Sequence, residues 1–141
     1  MSVDARPPVG PRRAVLDTSI FVAAESGRAL RYDQLPEEAV STVITLAELN
    51  AGVLAAAESS TRSLRLRTLT RLAAMELLSV DIGAAEVWAR MRVYLAERNR
   101  RINVNDLWIA SIAVAHGLPI ATQDDDFSPL QGFPGCSVIR V

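Results

Sequence analysis

Four acidic residues stand in apolar surroundings where an isolated charge is unusual. Asp17 and Asp124 come at the ends of short apolar runs, whereas Glu48 and Asp106 lie among apolar residues at helical spacing. A carboxylate in an apolar environment costs several kcal/mol unless another group compensates its charge. A hard divalent cation such as Mg²⁺ supplies that compensation and prefers carboxylate and water oxygens. The four acids therefore predict one shared metal site, provided that the fold brings them together.

Each of these acids also has a structural interpretation, and their spacing alone does not exclude it. Asp106 suits the first turn of a helix, where the helix dipole favours a negative charge. Glu48 suits a solvent-facing position, and residues 124–126 suit a hydrated turn. The shared site is favoured because Asp17 follows a predicted strand directly.

The chain lacks the residues that several other kinds of catalysis require. The chain has one cysteine, Cys136, and one histidine, His116, so a disulfide framework and a Cys/His zinc site are excluded. The same counts argue against Cys–His or Ser–His nucleophilic catalysis. These counts direct attention to the acids as candidates for catalysis.

The positive charge comes entirely from arginine and is concentrated in two stretches. The formal net charge is -1, and all 15 basic residues are Arg. Arg62, Arg65, Arg67 and Arg71 lie in a stretch without acids, and Arg90, Arg92, Arg98, Arg100 and Arg101 lie in a stretch whose only acid is Glu97. Arginine suits bidentate contacts with phosphate, so both stretches are candidates for binding a phosphate backbone. Hydrated helix faces would produce the same pattern.

Short apolar strands alternate with longer helices along the chain. The predicted strands are 14–16, 40–43, 77–80, 119–122 and 137–141, and helices are predicted from 17–19, over 45–57, from 59–61, from 81 or 83 to 97, and over 103–115. This alternation indicates a parallel sheet covered on both faces. Such sheets bind ligands beyond the carboxyl ends of their strands, where the strand order reverses. Asp17 and Asp124 would share that crevice if their strands are neighbours.

The length of 141 residues corresponds to about one domain. We predict a flexible N-terminal extension over 1–12 and a single domain over 13–141. No uncharged run is long and continuous enough to span a bilayer, and the N-terminus lacks the apolar core of a signal peptide. We therefore expect a cytoplasmic protein without a membrane segment.

Four segments together resemble the successive motifs of PIN domains, most closely those of VapC-type toxins of bacterial toxin–antitoxin pairs. They are Val-Leu-Asp-Thr-Ser at 15–19, Thr-Leu-Ala-Glu-Leu at 45–49, Asn-Asp-Leu-Trp-Ile-Ala at 105–110 and Ala-Thr-Gln-Asp-Asp-Asp-Phe at 121–127. The resemblance covers residues 13–141. It implies a three-layer α/β/α fold with a central, mostly parallel five-stranded sheet in the order 3-2-1-4-5.

The resemblance also implies roles for individual residues. The catalytic and metal-binding acids would be Asp17, Glu48, Asp106 and Asp124, with Asp126 as an alternative to Asp124. The hydroxyl groups of Thr18, Ser19 and Thr122 would hold these carboxylates in place. The cofactor would be Mg²⁺, with Mn²⁺ able to substitute. Weaker candidates for RNA contact are Arg12, Arg13, Arg62 and Arg65.

The implied function is that of a metal-dependent endoribonuclease toxin, controlled by a small VapB-type antitoxin and forming a homodimer. A non-catalytic PIN-like module that binds RNA or protein is the alternative. A receiver domain or aspartyl-phosphate phosphatase is disfavoured, since receivers use a Lys, which this chain lacks. The phosphatases require a second Asp where this chain has Ser19.

Overall fold

The computed structural model describes residues 10–141. Within these residues the strands are β1 (Arg13–Leu16), β2 (Glu38–Thr42), β3 (Leu77–Leu78), β4 (Ile120–Thr122) and β5 (Val138–Arg140). The helices are α1 (Thr18–Ser26), α2 (Val43–Ala55), α3 (Ser59–Ala73), α4 (Ile82–Glu97) and α5 (Val104–Ala115). Short 3₁₀ turns cover Tyr32–Gln34 and Ser128–Leu130.

The five strands form one parallel sheet in the order β3-β2-β1-β4-β5. The predicted fold class and strand order are therefore confirmed. The chain moves outward from β1 through β2 to β3, then returns to the other side of β1 for β4 and β5. The strand order thus reverses between β1 and β4, whose register pairs Val15 with Ile120 and Leu16 with Ala121. This is the position at which open parallel sheets form a crevice.

Side chains of the central strands point alternately to the two faces of the sheet, and each face has its own part of the hydrophobic core. Val15 and Ile120 pack against α4 and α5, while Leu16 and Ala121 face the other layer, which contains α1 and α3. Successive strand residues point to opposite faces, so β1, β2, β3 and β4 each contribute side chains to both clusters. Both faces of the sheet are covered, which explains why residues 14–16 of β1 and 120–121 of β4 are all apolar.

Polar side chains fix the starts of three helices. Thr42 accepts a hydrogen bond from the backbone N–H of Thr45 at 3.3 Å, and Asp81 accepts one from Ala84 at 2.8 Å. Asn103 accepts from the N–H of Asn105 at 2.9 Å. These interactions satisfy N–H groups that have no partner within the helix.

Two predicted helix starts were wrong by one or two residues. α2 begins at Val43 instead of Thr45, because the cap lies at Thr42 and the β-branched Val43 continues into the helix. α3 is preceded by Glu58 at its N-cap, so residues 59–61 belong to the helix instead of capping it. The predicted starts at Asp81 and Asn103 agree with the caps observed.

The predicted extension over 1–12 falls mostly outside the described residues, which begin at Gly10. Pro11 and Arg12 accept backbone hydrogen bonds from Glu37 and Glu38, at 3.2 Å and 2.9 Å. The boundary between extension and domain stays a prediction. Among residues 10–141, no helix has the length and apolar character needed to cross a membrane.

Candidate metal centre

Asp17 lies at the sheet's switch point, immediately after β1 and at the N-cap of α1. Its side chain is only 3% exposed. Ser19 donates a hydrogen bond to Asp17 Oδ1 at 2.6 Å, and Thr122 donates one to Oδ2 at 2.7 Å. Burial raises the pKa of Asp17 from 3.8 to about 6, although these two hydroxyl donors partly offset the effect.

Glu48 projects from α2 and is held by a hydroxyl group from α1. Thr18 donates a hydrogen bond to Glu48 Oε1 at 2.7 Å. The Thr18 oxygen also lies 3.1 Å from the hydroxyl oxygen of Thr45, which is fully buried one helical turn before Glu48. The two helices are therefore joined by polar contacts beside Asp17.

Asp106 occupies the first turn of α5, where Asn103 caps the helix. Its carboxyl group is half-buried, and this loss of hydration raises its pKa from 3.8 to about 7. The negative charges of Asp126, Asp17, Glu48 and Asp124 contribute to the same shift, in that order. Asp106 therefore lies within electrostatic reach of every other acid proposed for the site.

Asp124 and Asp126 lie on the loop after β4. The Thr122 hydroxyl that donates to Asp17 also accepts from the N–H of Asp124 at 3.3 Å, and Asp124 Oδ1 accepts from the N–H of Asp126 at 3.0 Å. Loss of hydration, followed by the charge of Asp124, raises the pKa of Asp126. Asp125 is different, because its carboxylate pairs with Arg140.

These side chains line a single cleft with a volume of about 390 Å³. The lining residues are Asp17, Thr18, Ser19, Val22, Arg28, Glu48, Asn103, Asp106, Asp124 and Asp126. The four predicted acids, the alternative Asp126 and two of the predicted hydroxyl residues therefore share one cavity. Thr122, the third hydroxyl residue, is fully buried beneath it and donates to Asp17.

The cleft suits a divalent cation in its donor chemistry, although its acids are not preassembled around one point. Within residues 10–141, no three Asp, Glu, His or Cys side chains are grouped as ligands of one ion. Five carboxylates nevertheless line the cleft, and their mutual repulsion contributes to the raised pKa of Asp106. A cation would relieve that repulsion, and its oxygen ligands would be of the type that Mg²⁺ prefers. Binding one ion requires some of these side chains to rotate toward a common centre.

The four arginines predicted for RNA contact do not line this cleft. Arg13 pairs with Glu38 and Glu76, at 3.1 Å and 2.9 Å. Arg62 donates to the carbonyl of Ala56 at 2.8 Å, and Arg65 donates to that of Gly52 at 2.7 Å. Arg12 is exposed near the start of β1. RNA contact by these residues stays a prediction.

Sequence reasoning did not assign a site role to Arg28, Thr45 or Asn103. Arg28 follows Gly27, whose φ of 74° turns the chain at the end of α1, and its side chain lines the cleft. Thr45 and Asn103 each precede a predicted acid by three residues, one helical turn. That spacing was the available signal for Thr45 and Asn103. No comparable signal exists for Arg28.

Comparison with known proteins gives the family. Residues 14–132 match the PIN domain family. The chain belongs to the PIN domain family. It is 53% identical to ribonuclease VapC5 of Mycobacterium tuberculosis over 131 residues, which cover 93% of this chain and 97% of that protein. It is 37% identical to ribonuclease VapC4 of the same species, over 92% of this chain and 98% of the relative.

The same relationship is evident in three dimensions. The crystal structure of VapBC-5 from M. tuberculosis, a member of the VapBC family of toxin–antitoxin systems, contains a chain that matches with a TM-score of 0.88 and 50% identity. The match covers 93% of this chain and 100% of that one. The predicted resemblance to VapC-type PIN domains is therefore confirmed.

The raised pKa values predict how the stability of this PIN domain depends on pH without metal. Asp17 and Asp106 bind protons more tightly when folded than when unfolded, so their contribution to stability is lost as pH rises through about 6 and about 7. We expect Asp106→Asn, in EDTA, to raise the melting temperature at about pH 8 but not at about pH 3, because the loss begins once pH exceeds the unfolded pKa of 3.8. Thermal unfolding at both pH values measures this. An equal change at both would contradict the loss of hydration and the charge repulsion assigned to Asp106.

Proposed function

We propose that this PIN domain is a metal-dependent endoribonuclease of the VapC type, which hydrolyses phosphodiester bonds of RNA. The observation that carries the proposal is the single cleft shared by Asp17, Glu48, Asp106 and Asp124, which come from four separate parts of the chain. The high identity to ribonucleases VapC5 and VapC4 supports the same reaction. The cleft lining contains no His, Cys or Lys, so a nucleophilic side chain of those types is not available among the described residues.

Asp17, Glu48, Asp106 and Asp124 would hold the cation, with Asp126 as a fifth acid at the rim. We propose Mg²⁺ as the ion, with Mn²⁺ as a substitute. When bound, such an ion neutralises charge on the phosphate and makes a water molecule nucleophilic at neutral pH. The acids alone would repel an RNA backbone, so the protein needs the ion before it can bind substrate productively.

Three hydroxyl groups orient the carboxylates of the site, those of Thr18, Ser19 and Thr122. Ser19 and Thr122 each donate to a different oxygen of Asp17, which fixes the plane of that carboxyl group. Thr18 fixes Glu48 in the same way from the first turn of α1. Such donors usually change metal affinity or activity by 10- to 100-fold when removed, about the size expected here.

We propose a small VapB-type antitoxin as the protein partner. The support is the similarity to a chain of the VapBC-5 toxin–antitoxin structure, at 50% identity. An antitoxin that covers the acidic cleft would block RNA and metal together. We further propose a homodimer and a cytoplasmic location, as the family resemblance implies.

The decisive experiment is cleavage of a structured RNA by the purified chain with Mg²⁺, with Mn²⁺ and with EDTA. We expect cleavage with either ion and a loss of about 10³-fold or more in EDTA, because the ion supplies several kcal/mol of transition-state stabilisation. Restoring Mn²⁺ to the EDTA-treated sample controls for irreversible damage. A folded protein that binds RNA but never cleaves it would instead favour the non-catalytic binding module.

A further inference from the structure

A second cleft, with a volume of about 520 Å³, lies at the turn between α4 and α5. Its polar lining consists of Arg92, Asn99, Arg100 and Arg101, and the described residues contribute no acid to its wall. We call this the basic cleft. Asn99 has a φ of 51°, a left-handed conformation that allows the chain to turn sharply after α4. The turn brings an arginine of α4 into the same cleft as two arginines from the connection to α5.

The guanidinium groups of this cleft are free of acidic partners. No ion pair within the part of the chain that the structure describes engages Arg92, Arg100 or Arg101. Arg92 lies over the ring of Trp88, 5.5 Å from its centroid, which leaves the edge of its guanidinium group for a ligand. Glu97, the acid of this stretch, lies 3.9 Å from Arg98.

A third cleft lies between the basic cleft and the candidate metal centre and shares wall residues with both. This intermediate cleft of about 330 Å³ shares Arg101 and Ile102 with the basic cleft. The same intermediate cleft shares Asn103, Asp106 and Asp126 with the carboxylate cleft. The three clefts are therefore neighbours in a series, with arginines at one end and carboxylates at the other.

We propose that the basic cleft binds the phosphate backbone of the RNA strand whose scissile bond lies in the carboxylate cleft. The inference rests on the proposed nuclease function and adds the direction in which the substrate leaves the metal centre. Guanidinium groups without acidic partners bind phosphate oxygens through pairs of hydrogen bonds, and a nuclease substrate supplies a row of such phosphates. Arg92, Arg100 and Arg101 are thus substrate-positioning residues, whereas Arg62 and Arg65 use their donors on the protein backbone.

The test compares two double variants of equal charge, Arg100→Gln/Arg101→Gln in the basic cleft and Arg67→Gln/Arg71→Gln on α3. Each is made in the Asp17→Asn protein, which should not cleave RNA. Binding of a labelled single-stranded RNA is measured by fluorescence anisotropy over a range of salt concentrations, with excess Mn²⁺ present to neutralise the remaining acids. We expect the cleft variant to raise Kd about tenfold and to reduce the salt slope by about 1.4, the value for two lost phosphate contacts. The α3 variant should change Kd less than about twofold.

A second measurement separates substrate binding from damage to the site. In the otherwise wild-type enzyme, the cleft variant should raise KM about tenfold and leave kcat and Mn²⁺ affinity nearly unchanged. Arg92→Gln, on α4, provides an independent variant and should raise KM in the same direction.

The outcomes distinguish the two proposals. If the wild type cleaves RNA and both double variants bind it equally, the inference about the basic cleft is wrong and the nuclease proposal stands. If the wild type binds RNA without cleaving it, the nuclease proposal fails, and the Kd comparison still decides the role of the cleft. Binding of poly-glutamate but not RNA would assign the cleft to an acidic protein partner and overturn the inference.

Discussion

Replacing Asp17 by asparagine is expected to lower kcat/KM for RNA cleavage by about 10³-fold, equivalent to about 4 kcal/mol of lost transition-state stabilisation. The amide oxygen can still accept from one of the two hydroxyl groups, Ser19 or Thr122, and the amide NH₂ can donate to the other, so the side chain should keep its place. The negative charge that attracts the cation is lost. Asp17 is the most buried of the acids, at 3% exposure. Water therefore has little access to the position from which it could take over the role of the carboxylate as a ligand.

Single-turnover cleavage and calorimetric titration with Mn²⁺ measure this prediction. Asp106→Asn should lower kcat/KM by a similar factor, since Asp106 lines the same cleft from helix α5. Asp33→Asn is the matched control, because Asp33 is exposed on the turn at Tyr32–Gln34 and does not line the cleft. Undiminished cleavage by both site variants would show that the acids have been assigned wrongly.

Phe127→Ala is expected to lower the free energy of unfolding by about 3–5 kcal/mol, as large aromatic truncations in protein cores do. Phe127 is 1% exposed and packs in the cluster between the sheet and helices α4 and α5. It also directly follows the acidic loop 124–126. Its removal should therefore reduce both stability and the ordering of Asp124.

Urea unfolding, followed by circular dichroism, provides the measurement. Tyr32→Ala is a suitable control, because that aromatic side chain is 72% exposed and its truncation should cost less than about 0.5 kcal/mol. If Phe127→Ala costs no more than Tyr32→Ala, the packing described for the acidic loop is incorrect.

The order of elements could be predicted because each element depends on local sequence. That the four acids share one cleft could be predicted only from the strand order together with the family resemblance, and their catalytic role stays a prediction. Each strand is a short apolar run, and the helix starts at Asp81 and Asn103 have capping side chains that the sequence displays. The start of α2 could not be located in the same way. Val43 is β-branched, which favours a strand, but the cap at Thr42 and the packing of the helix override that preference.

The roles of the arginines could not be predicted, because they depend on partners distant in sequence. Arg65 reaches the carbonyl of Gly52 across the α2–α3 pair, and nothing near either residue in the sequence indicates that contact. Arg28 reaches the carboxylate cleft only because the chain turns at Gly27. Tertiary structure therefore determines which guanidinium groups are left for a ligand.

The pairing of β1 with β4 limits where this protein can tolerate insertions and deletions. The register that pairs Leu16 with Ala121 also sets the position of Asp17 beside Thr122. A slip of β4 by one residue would turn Ile120 away from its core and at the same time separate the Asp17 carboxylate from its hydroxyl donor, Thr122. Insertions or deletions in β1 or β4 should therefore abolish folding and RNA cleavage together. Random mutagenesis should recover functional length variants only in connections remote from these two strands.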